Sequence, residues 1–388
     1  MRIFLISLFI INSFIIFWAM IGYPLSIRII AKHIKENSPE GNKAYEPTVT
    51  IMIVAHNEEK VIGDKLLNVT KVNYPMSKLE VLISSDNSTD KTNEIARKFI
   101  KDNQEYNIRF YEVKERKGKT NAQNEAASTV ESEILVMTDA NAMIDKDAIK
   151  ELVAGFSADN IAYVTGRLKY INKDEDWISN SESSYWEWDL KMREVESNLY
   201  SVTAGNGALY ACRTKEYHNF DPIKCHDSAM PKYYVLNGKR AVYNKNALAY
   251  EKAGEKVEDE FGRKVRMSRT ILDALFPDIR IFNVFKYKWY SYCYFGHRYC
   301  RQSLWLAHLL VLLLNIPLAF MNSIFTLTMT LQLLFYLGAF LKHITGINNK
   351  IINMIYYYTV TIIAQLIGAY RQLTGKSKPF WEKAESTR

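Results

Sequence analysis

Residues 3–27 contain no charged side chain. Roughly 20 helical residues cross about 30 Å of hydrocarbon, so this stretch predicts a transmembrane helix. A secretory signal has an apolar core of only about 7–15 residues and a small-x-small cleavage site, and neither is evident here. Trp18 and Tyr23 suit an interfacial belt, and Arg28, Lys32 and Lys35 follow at once, which predicts a cytoplasmic position for the bulk of the chain. From residue 47 the pattern becomes strand, polar loop, helix, repeated. Runs rich in β-branched residues predict strands over 48–54, 79–85, 108–113, 134–138, 162–169 and 241–244, and helical patterns fit 119–127 and 146–156. Ser88 or Thr89 is placed to cap the helix after the second strand. The fold class expected is α/β, a mostly parallel sheet with helices on both faces.

The last third changes character. Between residues 303 and 341 there is no Lys, Arg, Asp or Glu, a length of about two membrane crossings with a hinge at 321–323, and 351–370 is a further uncharged stretch. Three or four spans follow. A fourth would carry the basic tail outside, against the preference of Lys and Arg for the cytoplasm. Residues 279–301 mix aromatics with Lys286, Lys288, His297, Arg298 and Arg301, the composition of helices lying in the interface plane. The organisation expected is a transmembrane helix at 1–27, a basic linker at 28–46, a folded domain at 47–260, interfacial amphipathic helices at 261–302, two or three transmembrane helices at 303–371 and a basic tail at 372–388.

Charge and cysteines narrow the partners. The 388 residues carry 50 Lys+Arg against 42 Asp+Glu, net +8, which suits nucleic acid, anionic lipid or a phosphorylated ligand. No recognisable nucleic-acid module gathers the basic residues, so nucleic acid is not expected. The four cysteines lack Cys-x-x-Cys spacing, which indicates neither a zinc site nor a disulfide framework.

The candidate chemistry centres on Glu133-Ile-Leu-Val-Met-Thr-Asp-Ala-Asn-Ala142. Asp139 and Asn141 project oxygens from the carboxyl end of a buried strand, where open α/β sheets hold ligands. Such a pair suits Mg²⁺ or Mn²⁺, which takes few protein ligands and completes its shell with phosphate oxygens and water. Taken alone, Asp-x-Asn after a strand is more often just a turn. Asp86 sits just past another strand end, so two acids can converge on one crevice. Asp227, before a helical stretch, could accept a proton from an attacking hydroxyl or act as an N-cap. Arg263 and Arg266, at i,i+3, could grip a diphosphate, or form a solvated basic face.

Together these motifs resemble the membrane-embedded glycosyltransferases of family 2, the inverting group with a GT-A nucleotide-sugar fold that includes cellulose, hyaluronan and poly-N-acetylglucosamine synthases. The matches, over roughly residues 47–270, are Val54-Ala-His-Asn-Glu58, Ser85-Asp-Asn-Ser-Thr-Asp90, Arg116-Lys-Gly-Lys119, Thr138-Asp-Ala-Asn141, Gly205-Asn-Gly207, His226-Asp227 and Arg263-Lys-Val-Arg-Met267. The resemblance implies that Asn57, Glu58, Asp86, Lys119, Asp139, Arg263 and Arg266 bind a UDP-sugar, that Asp139 and Asn141 hold Mg²⁺ or Mn²⁺, and that Asp227 is the base. Gly205, Asn206 and Gly207, with Trp186 and Trp188 as an aromatic floor, are expected at the acceptor. Departures are Asn141 and His226 in place of acids, and Arg263 and Met267 in place of the glutamine and tryptophan of the Gln-x-x-Arg-Trp box, which puts processivity in doubt. The function implied is transfer of a sugar to a growing β-linked surface polysaccharide at the inner cell membrane, by a multi-pass enzyme with a cytoplasmic catalytic domain that could work with an export subunit. A single addition to a glycolipid or polyprenyl carrier, or a non-catalytic scaffold, are the alternatives.

Overall fold

The computed structural model describes residues 1–34, 41–171, 177–253 and 257–380. Part of the expected basic linker therefore lies outside the described residues, as does the end of the basic tail. Eight strands form one sheet: β1 Val49–Ala55, β2 Leu79–Ser85, β3 Ile108–Glu112, β4 Ile134–Asp139, β5 Met143–Ile144, β6 Ile161–Tyr170, β7 Leu209–Arg213 and β8 Arg240–Glu251. Their order is β3-β2-β1-β4-β7-β6-β8-β5. Side chains alternate between two faces, and both faces are covered. Ile51, Ile53, Ile83 and Val136 enter one core, while Met52, Leu82, Leu135 and Met137 enter the other. Burial on both sides is why these strands read as unbroken apolar runs.

The sheet is mixed: six of its eight strands point one way, and the departure from the expected mostly parallel sheet is confined to β7 and β5. β3, β2, β1 and β4 run parallel, as do β6 and β8, but β7 is antiparallel to both β4 and β6, and β5 to β8. The reversal positions the site. Because β7 starts where β4 ends, with Leu209 opposite Thr138, the 205–207 loop is laid beside Asp139. A second correction concerns the helix after β2. It begins at Thr92, and its N-terminus is held by Asp90 Oδ1, which accepts from the Thr92 N–H at 2.9 Å, not by Ser88 or Thr89.

Among the described residues three helices are long and apolar enough to cross a bilayer: Arg2–Ala31, Ser323–Thr345 and Lys350–Leu373. The pair Trp289–Cys300 and Leu304–Ala319, bent by 61°, brings the number to four if it is one broken span. Asn322 caps the helix that starts at Ser323, so the break falls at the expected hinge. The first helix contains a π turn at Trp18–Gly22 and the bent pair contains another at Tyr294–Cys300. Helix Val257–Met267 crosses the expected 260/261 boundary and packs on Lys350–Leu373, where the Tyr357 hydroxyl donates to Glu260 at 3.0 Å.

Candidate active site

A cavity of about 760 Å³ opens at the carboxyl ends of β1, β2 and β4. Its walls hold Asn57, Glu58, Asp86, Lys119, Asp139, Asn141, Asn206, Gly207, Asp227, Arg263, Arg266 and one tryptophan, Trp186. Residues drawn from seven sequence motifs thus meet in one space.

The β1 and β2 loops brace one another. Asn57, in the left-handed region at φ 55°, accepts the Thr89 N–H through Oδ1 at 2.7 Å, and the Thr92 hydroxyl accepts the Glu58 N–H at 2.7 Å. His56 Nδ1 donates to the Asp86 carbonyl at 2.8 Å. Asp86 is 2% exposed, and its carboxylate accepts the N–H groups of Lys117 (3.1 Å) and Gly118 (2.9 Å), which ties the basic loop to the end of β2. Gly118 has φ 96°, and a Cβ there would lie 2.5 Å from the Pro379 carbonyl oxygen. The tail therefore packs against this loop, with the Arg116 guanidinium 4.8 Å from the Phe380 ring centre.

Lys119 opens helix Lys119–Ala127 and pairs with Asp139. Burial opposes its charge, but Asp139 and, further off, Asp227 hold its pKa above the usual lysine value. A Cβ on Gly207 would stand 3.2 Å from both Asp139 Oδ2 and Lys119 Nζ, so glycine leaves this corner open. Beneath the turn, Lys65 is fully buried; its ammonium donates to Thr138 Oγ1 at 2.9 Å and to the Ala142 carbonyl, clamping both ends of Asp139-Ala140-Asn141. Burial pulls its pKa down to about 7.

Asp227 lies in the first turn of helix His226–Leu236, and its main-chain carbonyl accepts the Gly205 N–H at 2.7 Å. Burial lifts its carboxyl pKa above the ordinary range; Lys119, Arg193 and Arg298 oppose this, and Asp139 adds to it. A carboxylate so tuned suits proton abstraction. His226, where an acid was expected, has its pKa pulled down to about 3 by burial and then by Lys119 and His218, so the ring is neutral. Its Nε2 lies 3.2 Å from Asn124 Oδ1, joining the 226 turn to helix Lys119–Ala127.

Arg263 makes a bidentate pair with Glu260, at 2.7 and 3.0 Å. Glu260 is buried, yet Arg263 and Lys264 outweigh that burial and bring its pKa down to about 2. Burial and the neighbouring Arg263 lower Arg266 to about 10. Both arginines line the cavity.

Trp186 lines the cavity and Trp188 does not: Trp188 packs with Tyr23, Ile27 and Met192, under the Arg301 guanidinium. Residues two apart on a helix face different ways, so of the two expected at the acceptor only Trp186 reaches the cavity. Gly205 also stays out of the cavity lining, pressed against Tyr163, and acts through its main chain. Among the described residues no group of three or more His, Cys, Asp and Glu could hold a metal ion. The fit to a divalent cation is that of one carboxylate and one amide beside an open corner, with the remaining ligands drawn from phosphate and water.

Residues 50–216 match the model of glycosyl transferase family 2. Over these residues the chain is similar to glycosyltransferase family 2. The match includes Asp86, Lys119, Asp139 and the 205–207 loop and ends before Asp227, Arg263 and Arg266. The β-monoglucosyldiacylglycerol synthase of Nostoc sp. is 28% identical over 163 residues, 42% of this chain and 35% of that one. The poly-β-1,6-N-acetyl-D-glucosamine synthase of Staphylococcus aureus is 32% identical over 126 residues, 32% of this chain and 29% of that one. The chain thus spans about a third of the length of the curated relatives it matches. Among solved structures, a mannosyltransferase of Pyrobaculum calidifontis, in complex with GDP-Man and Mn²⁺, superposes with a TM-score of 0.75 over 96% of this chain and 99% of its own, at 19% identity, a likeness of fold.

Proposed function

We propose that the chain is a membrane-bound inverting glycosyltransferase that moves a sugar from a nucleoside-diphosphate sugar to a hydroxyl of an acceptor held at the bilayer. The observation that carries this reading is the convergence, in one 760 Å³ cavity, of the Lys119–Asp139 pair, Arg263 and Arg266 with Asp227, a carboxyl whose pKa burial raises. Asp86 and the Asn57 loop hold the nucleotide, with UDP the expected one. Lys119, Arg263 and Arg266 offset charge growing on the departing diphosphate. Asp227 takes the proton of the acceptor hydroxyl, which attacks the anomeric carbon opposite the leaving group and inverts it. Asp139 and Asn141 would hold a Mg²⁺ or Mn²⁺ ion, which supplies Lewis-acid neutralisation of the diphosphate.

A lipid acceptor taking one sugar is the reading we favour. Its support is the box, which ends in Met267 rather than in a tryptophan; the larger aromatic side chains at the cavity are Trp186, Tyr170, Tyr210 and Phe380. The name of the Nostoc relative agrees with it. Extension of a β-linked surface polysaccharide is the second reading, supported by the name of the Staphylococcus aureus relative. Purified protein in nanodiscs, given a panel of UDP- and GDP-sugars with Mg²⁺, Mn²⁺ or chelator, is expected to release the nucleoside diphosphate from one donor only when metal and lipid extract are present. Product size separates the readings, because a lipid carrying one sugar supports the first and a polymer the second.

A further inference from the structure

Helix Trp177–Leu199 carries charges that are closed to solvent. Asp189, Arg193 and Glu196 are 3%, 5% and 0% exposed. Arg193 donates through Nε to Asp189 Oδ2 at 2.5 Å and through Nη1 to the Ala204 carbonyl at 2.9 Å and the Gly205 carbonyl. Its guanidinium lies 5.0 Å from the Trp186 ring centre. The N–H of the same Gly205 donates to the Asp227 carbonyl. One side chain therefore touches the cavity tryptophan, the loop ahead of β7 and, through one peptide, the turn that bears the base.

What holds Arg193 comes from the membrane side. Asp189 Oδ1 also takes His297 Nε2 and Arg301 Nη1, each at 2.8 Å. The other nitrogen of His297 lies 2.6 Å from Glu196 Oε1, which accepts the Tyr23 hydroxyl at 2.6 Å. Tyr23 follows the π turn of the first apolar helix, and His297 sits in the π turn that leads to Leu304–Ala319. π turns interrupt the helical ladder and often mark functional positions.

We infer that Arg193 is a positioning residue for the acceptor half of the site, and that the Asp189–His297–Glu196–Tyr23 cluster makes the setting of the 204–207 loop and of Asp227 depend on the seating of both apolar segments. The inference rests on the glycosyltransferase reading only in giving Asp227 its role. Lysine cannot replace arginine here, because a single ammonium does not reach a carboxylate and two carbonyls in the fixed fork that a guanidinium presents.

Hydrogen exchange on the full chain in nanodiscs tests it without a known donor. R193K is expected to speed exchange of the 203–208 amides at least tenfold while the amides of Lys117 and Gly118, which bind Asp86, keep wild-type rates. Wild-type exchange at 203–208 overturns the inference. If R193K loosens the whole domain, Y23F decides, since it removes only one hydroxyl outside the cavity: faster exchange at 203–208 supports the coupling and unchanged exchange overturns it. With the active donor, R193K is expected to lower kcat at least tenfold with UDP affinity within twofold of wild type; unchanged kcat overturns the positioning role. D227N is run alongside. If D227N turns over normally, the base assignment falls while the exchange result still judges the coupling.

Discussion

Replacing Lys65 with methionine isolates the support under the Asp139–Asn141 turn. Methionine is apolar and of similar length, so the change removes the ammonium without opening a large void. Thr138 keeps a partner, because its hydroxyl also donates to the Ala208 carbonyl at 2.7 Å. The Ala142 carbonyl loses its lysine donor, and an orphaned buried acceptor costs about 1–3 kcal/mol. The difference from wild type also depends on pH. Lys65 titrates at about 7 when folded and near 10.5 when unfolded, so between these values the unfolded chain binds more protons and wild-type stability rises with pH. From pH 7 to pH 9 that gain is about 2 kcal/mol, and K65M lacks it. Denaturant titration of both proteins in detergent at pH 7, 8 and 9 should find a gap that widens by about 2 kcal/mol. A gap that stays constant, or closes, refutes the buried titrating lysine. UDP affinity, measured beside it, should fall at every pH, because the turn bearing Asp139 is no longer clamped.

Three further outcomes follow from the site. The raised Asp227 pKa means that activity is lost as pH falls through a value above the ordinary carboxylate range, so the acid limb of the kcat profile, read by nucleoside-diphosphate release, should lie above the ordinary aspartate value of 3.8; a limb at or below it contradicts the burial of the base. G118A forces a Cβ at φ 96° and against Pro379, a conformation that costs about 1–3 kcal/mol, and should weaken UDP binding by detaching the Lys117–Gly118 amides from Asp86. G207A crowds Asp139 and Lys119 at 3.2 Å and should raise the donor KM severalfold with an unchanged melting temperature.

Much of the donor half was legible in the sequence because its acids stand at the ends of strands buried on both faces. An apolar run that stops in a polar residue marks both the strand and the edge where ligands bind, as at Asp86 and Asp139. The antiparallel β7 was missed: its five residues, Leu-Tyr-Ala-Cys-Arg, are too short to declare a direction, and direction is set by the chain's return from helix Trp177–Leu199. Trp188 was misplaced although helical spacing already separates it from Trp186. Lys65 did leave a signal, a lone lysine on the helix face of Ile62, Leu66 and Val69, all buried. Arg193 left none, since Asp189 and Arg193 at i,i+4 look like a surface pair and only the tertiary fold buries them. Pro379 and Phe380 reach the basic loop from more than 250 residues away, a contact that no local pattern encodes.

The central claim is that Asp227 is the base of a sugar transfer carried out in this cavity. Its most direct test is D227N in nanodiscs, measured for UDP affinity and for nucleoside-diphosphate release with the donor that wild type uses. The account predicts affinity within a fewfold of wild type and turnover lowered by about 10²–10⁴, the range for loss of a general base. Turnover close to wild type, with nucleotide binding intact, would contradict it.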